Sequence, residues 1–443
     1  MYTYINTFIQ KLLPTWIHQR LISDWDPQGF KKYFKNTGWL FLARGVTFLT
    51  SFFTIAIVAR YLGPENLGKL SYAQSFVSIL SIFASLGINQ ILYRDLTAEP
   101  ERENEFLGTA IASQFIFGTL AFFTSIGLSI WMGNTSILTT LIAITAFTFI
   151  LNPLGTIGIL FQARVEAKYI SQITIFLAFF IPALKLLIVF FDKGIIYFAL
   201  ILLVESGLST AWVLYIYIKK LHLSPLNWRI TRPVFTKLMR DSWPFLFAGL
   251  FGYLYARVDQ VMLQHYMGST SVGLYDVAVR LSNIWSFIPA LIIASIFPAI
   301  VSARKTNHAE YLKRLKSLTI LIMIITFFIA FFVFIFSKII VLIIFGNQYL
   351  ESVAALRIYI WSGVLAILGT LAQQYLITEN KGGINLILTM FGAIVNICLN
   401  LYMIPHYGMV GASISTLFSY AMVPFGLLLF SQTRKDFFLM CKI

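Results

Sequence analysis

Cysteine occurs only twice in the chain, at Cys398 in an apolar segment and at Cys441 near the C-terminus. That excludes a disulfide scaffold and offers no thiolate cluster to a metal. Histidine is nearly as scarce: His18, His222, His265, His308 and His406 are scattered, with no metal-ligand spacing. Charge is the larger deficit. Asp, Glu, Lys and Arg make up 12% of the 443 residues, about half of the roughly 25% usual in a soluble domain. No polar connection is long enough to fold as a separate domain or to hold the active site of a membrane glycan polymerase or ligase, so an enzyme is the lesser alternative. A signal peptide is not expected either, because Lys11, Pro14 and Arg20 interrupt the first apolar stretch.

What the sequence has instead is apolar surface. Hydrophobic residues make up 58% of the chain, aromatics 16%, and Phe alone occurs 42 times. A soluble fold cannot hide that much. The composition predicts an all-α polytopic membrane protein of about twelve transmembrane helices, in two six-helix bundles around a central cavity, because lipid leaves backbone groups no outside partner. Twelve apolar segments are legible: 38–60, 68–93, 107–131, 136–161, 170–191, 194–218, 243–266, 271–300, 317–345, 353–377, 384–404 and 407–430. The ninth is overlong and is expected to tilt or to end in a re-entrant piece around Lys338.

The net charge of +15 is a topology signal rather than a nucleic-acid signal, and no nucleic-acid partner is expected. With the N-terminus inside, 24 Lys and Arg fall in inner segments, three (Arg60, Lys69 and Lys193) in outer ones, and six within apolar segments. Basic residues collect on the cytoplasmic side, so both termini are expected there. Residues 1–37 carry Trp16, Ile17, Leu21 and Trp25 among basic residues and read as an amphipathic helix on the inner leaflet. The predicted organisation is that segment, a first bundle over 38–218, a basic linker over 219–242, a second bundle over 243–430, and a tail over 431–443.

A repeat links the two bundles. Tyr61-Leu62-Gly63 followed by Gly68 matches Tyr266-Met267-Gly268 followed by Gly273, at an offset of 205. At 100° per residue, Ser71, Ser75 and Ser78 share a stripe, and the same offset gives Asp276, Arg280 and Asn283. Matching polar stripes suggest two halves facing one cavity; the alternative is that small polar residues aid helix packing. Asn385, Thr389, Asn396 and Asn400 form a further stripe, open between cavity lining and interhelical bonding.

Nine charged residues lie in apolar segments: Arg44, Lys185, Arg257, Arg280, Lys338 and Arg357 against Glu205, Asp259 and Asp276. Each costs roughly 2.5–3.5 kcal/mol at mid-bilayer, so most must pair, snorkel or face water. Asp276 and Arg280 are one turn apart and can pair. Arg257 and Asp259 point away from each other and cannot pair along the helix, and Trp361 is placed to stack on Arg357. The sum of +3 suits an anionic, phosphate-bearing substrate. Arg44, Lys185, Arg257, Arg280 and Arg357 are the candidate substrate-binding cations. Glu205, Asp259 and Asp276 are candidate ion-coupling groups or charge partners, and Ser71, Ser75, Ser78, Asn283 and Asn396 are candidate polar lining. No metal is expected, and no cofactor beyond a coupling proton or sodium ion. Gly63-Pro64-Glu65-Asn66-Leu67-Gly68-Lys69 imitates a phosphate-binding loop, but Leu70 stands where its Ser or Thr should be, so a tight turn is expected.

The stretch from Arg60 to Ala73, the later Leu86-Gly87-Ile88 and Tyr93-Arg94-Asp95, and the pair Arg257-Val258-Asp259-Gln260-Val261-Met262-Leu263 and Val272-Gly273-Leu274-Tyr275 resemble the oligosaccharide (O-antigen type) flippases. These are polysaccharide transporters related to multidrug and toxin extrusion proteins. The resemblance runs nearly the whole chain. It implies movement of undecaprenyl-pyrophosphate-linked sugar units across the bacterial cytoplasmic membrane by alternating access of two bundles, with polysaccharide polymerase machinery as a candidate partner. Flippases of the peptidoglycan precursor carry two further C-terminal helices. This chain runs about 13 residues past its last segment, so another glycan is implied. A drug or cation antiporter remains the alternative, but a positive cavity suits a cationic drug poorly.

Overall fold

The computed structural model describes residues 27–304 and 308–434. Residues 1–26 of the expected amphipathic segment lie outside them, and from Pro27 onward the chain is already helical. The helices are α1 (Pro27–Ser85), α2 (Ile88–Ala98), α3 (Glu103–Trp131), α4 (Ser136–Ala146), α5 (Thr148–Gly155), α6 (Ile157–Ala163), α7 (Ala167–Phe190) and α8 (Ile195–Lys219). Then follow α9 (Arg232–Trp285), α10 (Phe287–Arg304), α11 (His308–Phe345), α12 (Ser352–Thr378) and α13 (Gly382–Gly426).

Among the described residues, nine helical runs are long and apolar enough to cross a membrane, and three of them, of 57, 62 and 45 residues, are too long for one crossing. A straight 57-residue helix would span about 85 Å, against about 30 Å of hydrocarbon. In each of the three, one long helix is broken by a glycine with non-helical backbone: Gly63 in α1, Gly268 in α9 and Gly408 in α13. Gly63 (φ 70°) and Gly268 (φ 80°) occupy backbone that a side chain would strain, and Pro64 after Gly63 supplies no N–H to continue the first helix. Divided there, the nine runs make twelve crossings. The glycines that imitate a nucleotide loop are this turn, and Lys69 is bonded to Glu65 at 2.6 Å.

The apolar segments differ from the elements in several places. The second breaks at Leu86 and Gly87, both at positive φ, so α2 re-aims before the basic end. The fourth is three short helices, interrupted at Phe147 and Thr156. The eighth divides between α9 and α10 around Ser286. The ninth runs unbroken through Lys338 as α11 and is not re-entrant. Within 219–242, Arg232 already opens α9.

Of four apolar cores among the described residues, three set how the two halves meet. One, with Leu67, Tyr72 and Ala73 before the linker and Val272, Tyr275, Val341 and Tyr349 after it, belongs to both halves. It lies toward the end where Lys and Arg are few. At the basic end the cores separate. One is built on Ile88, Phe106, Phe161 and Tyr217, to which α9 adds Val234 and Leu238; the other, on Ile293, Tyr311, Tyr375 and Leu427, lies wholly in the second half. Phe53, Phe123, Phe328 and Phe332 are exposed on the outer faces, where hydrocarbon is the only solvent that suits them.

Candidate functional site

A cavity of about 800 Å³ lies inside the first half and is closed on one side by the second. Its wall comes from both arms of α1, from α4, α5, α7 and α8, and from Tyr253, Arg257 and Arg280 of α9. Its charged lining is Lys185, Arg257, Arg280 and Glu205, a net of +2 rather than the +3 of the sequence sum. Four of the nine intramembrane charges are on this wall.

Lys185 follows Pro182, which interrupts the hydrogen bonding of α7, and it lies within electrostatic reach of Glu205 and Arg280. Arg280 is bonded through Nε to the Asp276 carboxylate one turn earlier. Arg257 lines the cavity, while Asp259, two residues on and facing the other way, is buried in the second half. There Asn400 Nδ2 donates to its Oδ1 at 2.7 Å. Tyr275 Oη and Thr416 Oγ1 donate to its Oδ2 at 2.7 and 2.6 Å. The two charges that could not pair along one helix therefore found separate environments: the cavity wall for one, a buried shell of hydrogen-bond donors for the other.

Two of the five candidate cations are elsewhere. Arg44 is exposed, nearly one turn beyond Thr47 toward the basic end, and is not on the wall. Arg357 donates to Ser337 Oγ at 3.0 Å and lies over Phe334, its guanidinium 5.7 Å from the ring. Trp361 packs against Phe327 and Phe334 instead of the arginine. Arg357 is thus partnered within the second half.

Of the five polar candidates, Ser78 lines the cavity, and its hydroxyl also donates to the Gln74 carbonyl at 2.6 Å. Ser71 is buried, and among the described residues its hydroxyl has no partner. Ser75 is buried and donates to Gln260 Oε1 across the junction of the halves. Asn283 is exposed away from the wall. Asn396 accepts from Asn400 at 3.0 Å and so belongs to the shell around Asp259. The repeat placed these stripes on the matching helices, but what each residue meets depends on the neighbouring helix.

Much of the polar wall was missed: Thr47, Ser51, Gln74, Asn152, Ser206 and Ser209. Ser206 Oγ donates to Asn152 Oδ1 at 2.7 Å. A signal existed in the lone amide Asn152 within a long apolar segment and in the hydroxyls beside Glu205. Among the described residues there is no cluster of His, Cys, Asp or Glu that could hold a metal.

The two ends of the molecule differ. At the end poor in Lys and Arg, Arg60 donates to the carbonyls of Ile343 and Ile344, Gln348 Nε2 donates to the Arg60 carbonyl at 2.9 Å, and Tyr349 Oη donates to the Ala59 carbonyl at 2.8 Å. Gly68 and Gly273, related by the offset of 205, pack so closely that a methyl group on Gly68 would overlap the Ser269 carbonyl and one on Gly273 the Pro64 carbonyl. At the basic end, the start of α9 is tied to the first half: Arg94 to Asp241 at 2.8 Å, and Lys237 to Asp95 at 3.1 Å and Glu99 at 3.3 Å. Arg102 and Lys237 together hold the Glu99 carboxyl below its usual range.

Residues 33–304 match the family described as polysaccharide biosynthesis protein. A protein of Haloferax volcanii named "Probable low-salt glycan biosynthesis flippase" is 24% identical over 50% of this chain and 49% of its own length, so the chain spans about half of that relative. Two solved structures share the fold. The lipid II flippase MurJ, in an inward closed conformation, has a TM-score of 0.73 at 14% identity, covering 92% of this chain and 90% of that one. An inward-facing multidrug resistance transporter of the MATE family, in the MOP superfamily, has a TM-score of 0.70 at 17% identity, covering 89% and 96%.

Proposed function

The chain belongs to the polysaccharide biosynthesis protein family, the polysaccharide transporters related to multidrug and toxin extrusion proteins, and from that premise we propose that it is a flippase for undecaprenyl-pyrophosphate-linked oligosaccharides. It would carry them from the inner to the outer leaflet of the bacterial cytoplasmic membrane, supplying O-antigen, capsule or exopolysaccharide synthesis. The observation that carries this reading is the composition of the cavity. Lys185, Arg257 and Arg280 stand on a wall otherwise made of hydroxyls, amides and apolar groups. Cations there replace the water of a pyrophosphate, hydroxyls and amides take up sugar hydroxyls, and the polyprenyl tail stays in the bilayer. Such a site is suited to binding and moving its substrate.

The separated cores at the basic end and the shared core at the other support a resting arrangement open toward the basic, cytoplasmic side. Alternating access would part Gly68 from Gly273 and bring the basic ends together. Asp259, surrounded by Asn400, Tyr275 and Thr416, is the coupling site of this scheme for a proton or a sodium ion, and the chain would hand its cargo to the polymerase machinery outside. A drug antiporter is the weaker reading, because a wall of +2 repels a cation.

Mass spectrometry of lipid-linked sugars in a deletion strain tests the proposal. Undecaprenyl-pyrophosphate-linked repeat units should accumulate on the inner leaflet and clear when the gene is restored. A strain with unchanged lipid-linked sugars and altered drug resistance would decide for the antiporter.

A further inference from the structure

Two neighbouring residues of α9 before its kink, Asp259 and Gln260, meet two neighbouring residues after it, Tyr275 and Asp276. Tyr275 Oη donates to Asp259 Oδ2 at 2.7 Å, and Gln260 Nε2 donates to Asp276 Oδ1 at 3.2 Å. Successive helical residues point about 100° apart, so the two links face different ways. Asp259 looks into the second half, toward Asn400 and Thr416. Gln260 looks at the first half, where its Oε1 accepts from Ser75 Oγ. The remaining oxygen of Asp276 holds Arg280, which stands on the cavity wall.

We infer that Gln260 is a positioning residue that couples the polar core around Asp259 to the substrate cavity, by tying Ser75 of the first half to the Asp276–Arg280 pair of the second. Three facts carry this. Gln260 is 2% exposed, so water cannot replace either of its partners. It uses its acceptor toward one half and a donor toward the other, so a change in either link is felt by the other. Its backbone neighbour Asp259 and the partner's neighbour Tyr275 are themselves bonded, so a shift of the Asp259 carboxylate moves α9 on both sides of the kink at Gly268. The inference rests on the flippase reading only in requiring that the two halves separate during the cycle. When the end poor in Lys and Arg opens, the Ser75–Gln260 bond must break along with the buried Tyr349–Ala59 bond, and Arg280 is released from a fixed position at the same step.

The test measures separation of the halves rather than export. Spin labels on cysteines at the exposed positions 135 and 351, with Cys398 and Cys441 replaced by Ser, report the open fraction of the full-length protein in lipid nanodiscs. Ser75→Ala should raise that fraction about tenfold, since it strands a buried acceptor. Asp259→Asn, which imitates a neutralised carboxyl, should shift it at least fivefold when Gln260 is present and by less than twofold in Gln260→Ala. A merely structural Gln260 would lower the melting temperature and leave the response to Asp259→Asn intact; equal responses with and without Gln260 would overturn the relay. If Asp259→Asn does not fold, Thr416→Val, which removes one donor to the same carboxylate, takes its place with the same expectation. A wild-type protein that separates its halves but leaves lipid-linked sugars unmoved in proteoliposomes would strike the flippase reading and leave the relay standing.

Discussion

Arg280 and Asp276 share a face of α9, and the bond between them leaves the arginine on the cavity wall while the aspartate is 1% exposed and also accepts from Gln260. One residue of the pair is therefore in contact with the cavity and the other with the junction of the halves.

The first prediction concerns this pair. Arg280→Ala leaves a buried carboxylate with one amide donor and should cost up to about 3 kcal/mol, since breaking a buried pair costs roughly 3–5 kcal/mol and the arginine here is partly wet. Asp276→Asn with Arg280→Gln removes the orphan charge and should restore membrane abundance. Export of lipid-linked oligosaccharide should stay at least tenfold down. A double variant exporting at the wild-type rate would show that the pair serves packing alone.

Lys185→Gln and Arg257→Gln should each lower export about tenfold or more at unchanged abundance, because each removes a wall cation that has no bonded acid on its own helix. Arg357→Gln should behave in the opposite way. It loses a bond to Ser337 and a stacking contact on Phe334, about 1–2 kcal/mol together, and export per molecule should remain. Quantitative blotting beside pulse-labelled glycan export separates the two patterns.

Gly68→Ala and Gly273→Ala should prevent the close approach at the end poor in Lys and Arg, since the added methyl group meets backbone that cannot move aside. Each variant should keep its helices by circular dichroism and hold that end open by spin-label distances, with export reduced at least tenfold. Normal distances in both would remove the glycine contact from the gating scheme.

Asn400→Ala takes the 2.7 Å donor from Asp259 Oδ1 and should destabilise the second half by about 1–3 kcal/mol, the cost of a buried acceptor left unmade. Thermal unfolding in detergent reads this. In Asp259→Ala the same Asn400 change should cost much less, because the acceptor is already gone.

Topology is tested by cysteine labelling from outside intact cells, in a chain lacking Cys398 and Cys441. Positions 135 and 270 should react, and positions 226 and 313 should not; all four are exposed. The reverse pattern would place the basic end outside, against the charge asymmetry.

Composition by itself determined the all-α membrane class, because 58% hydrophobic content with 12% charge leaves helices in lipid as the arrangement that satisfies the backbone. The repeated Tyr-x-Gly with a second glycine five residues on located the turns at Gly63 and Gly268, since local backbone needs are written in local residues. The list of intramembrane charges was likewise complete in the sequence. Which of them share a wall was not. Helical spacing says that Asp276 and Arg280 meet and that Arg257 and Asp259 part, but it cannot say what stands opposite. Tertiary packing set Arg257 on the cavity, gave Asp259 to residues 141 and 157 positions away, and sent Arg357 to Ser337. It also turned Ser75 from expected lining into the contact of Gln260. A side chain's role inside a membrane is fixed by its partner across the helix interface, and that partner is chosen by how whole helices pack, over distances that periodicity along one helix does not encode.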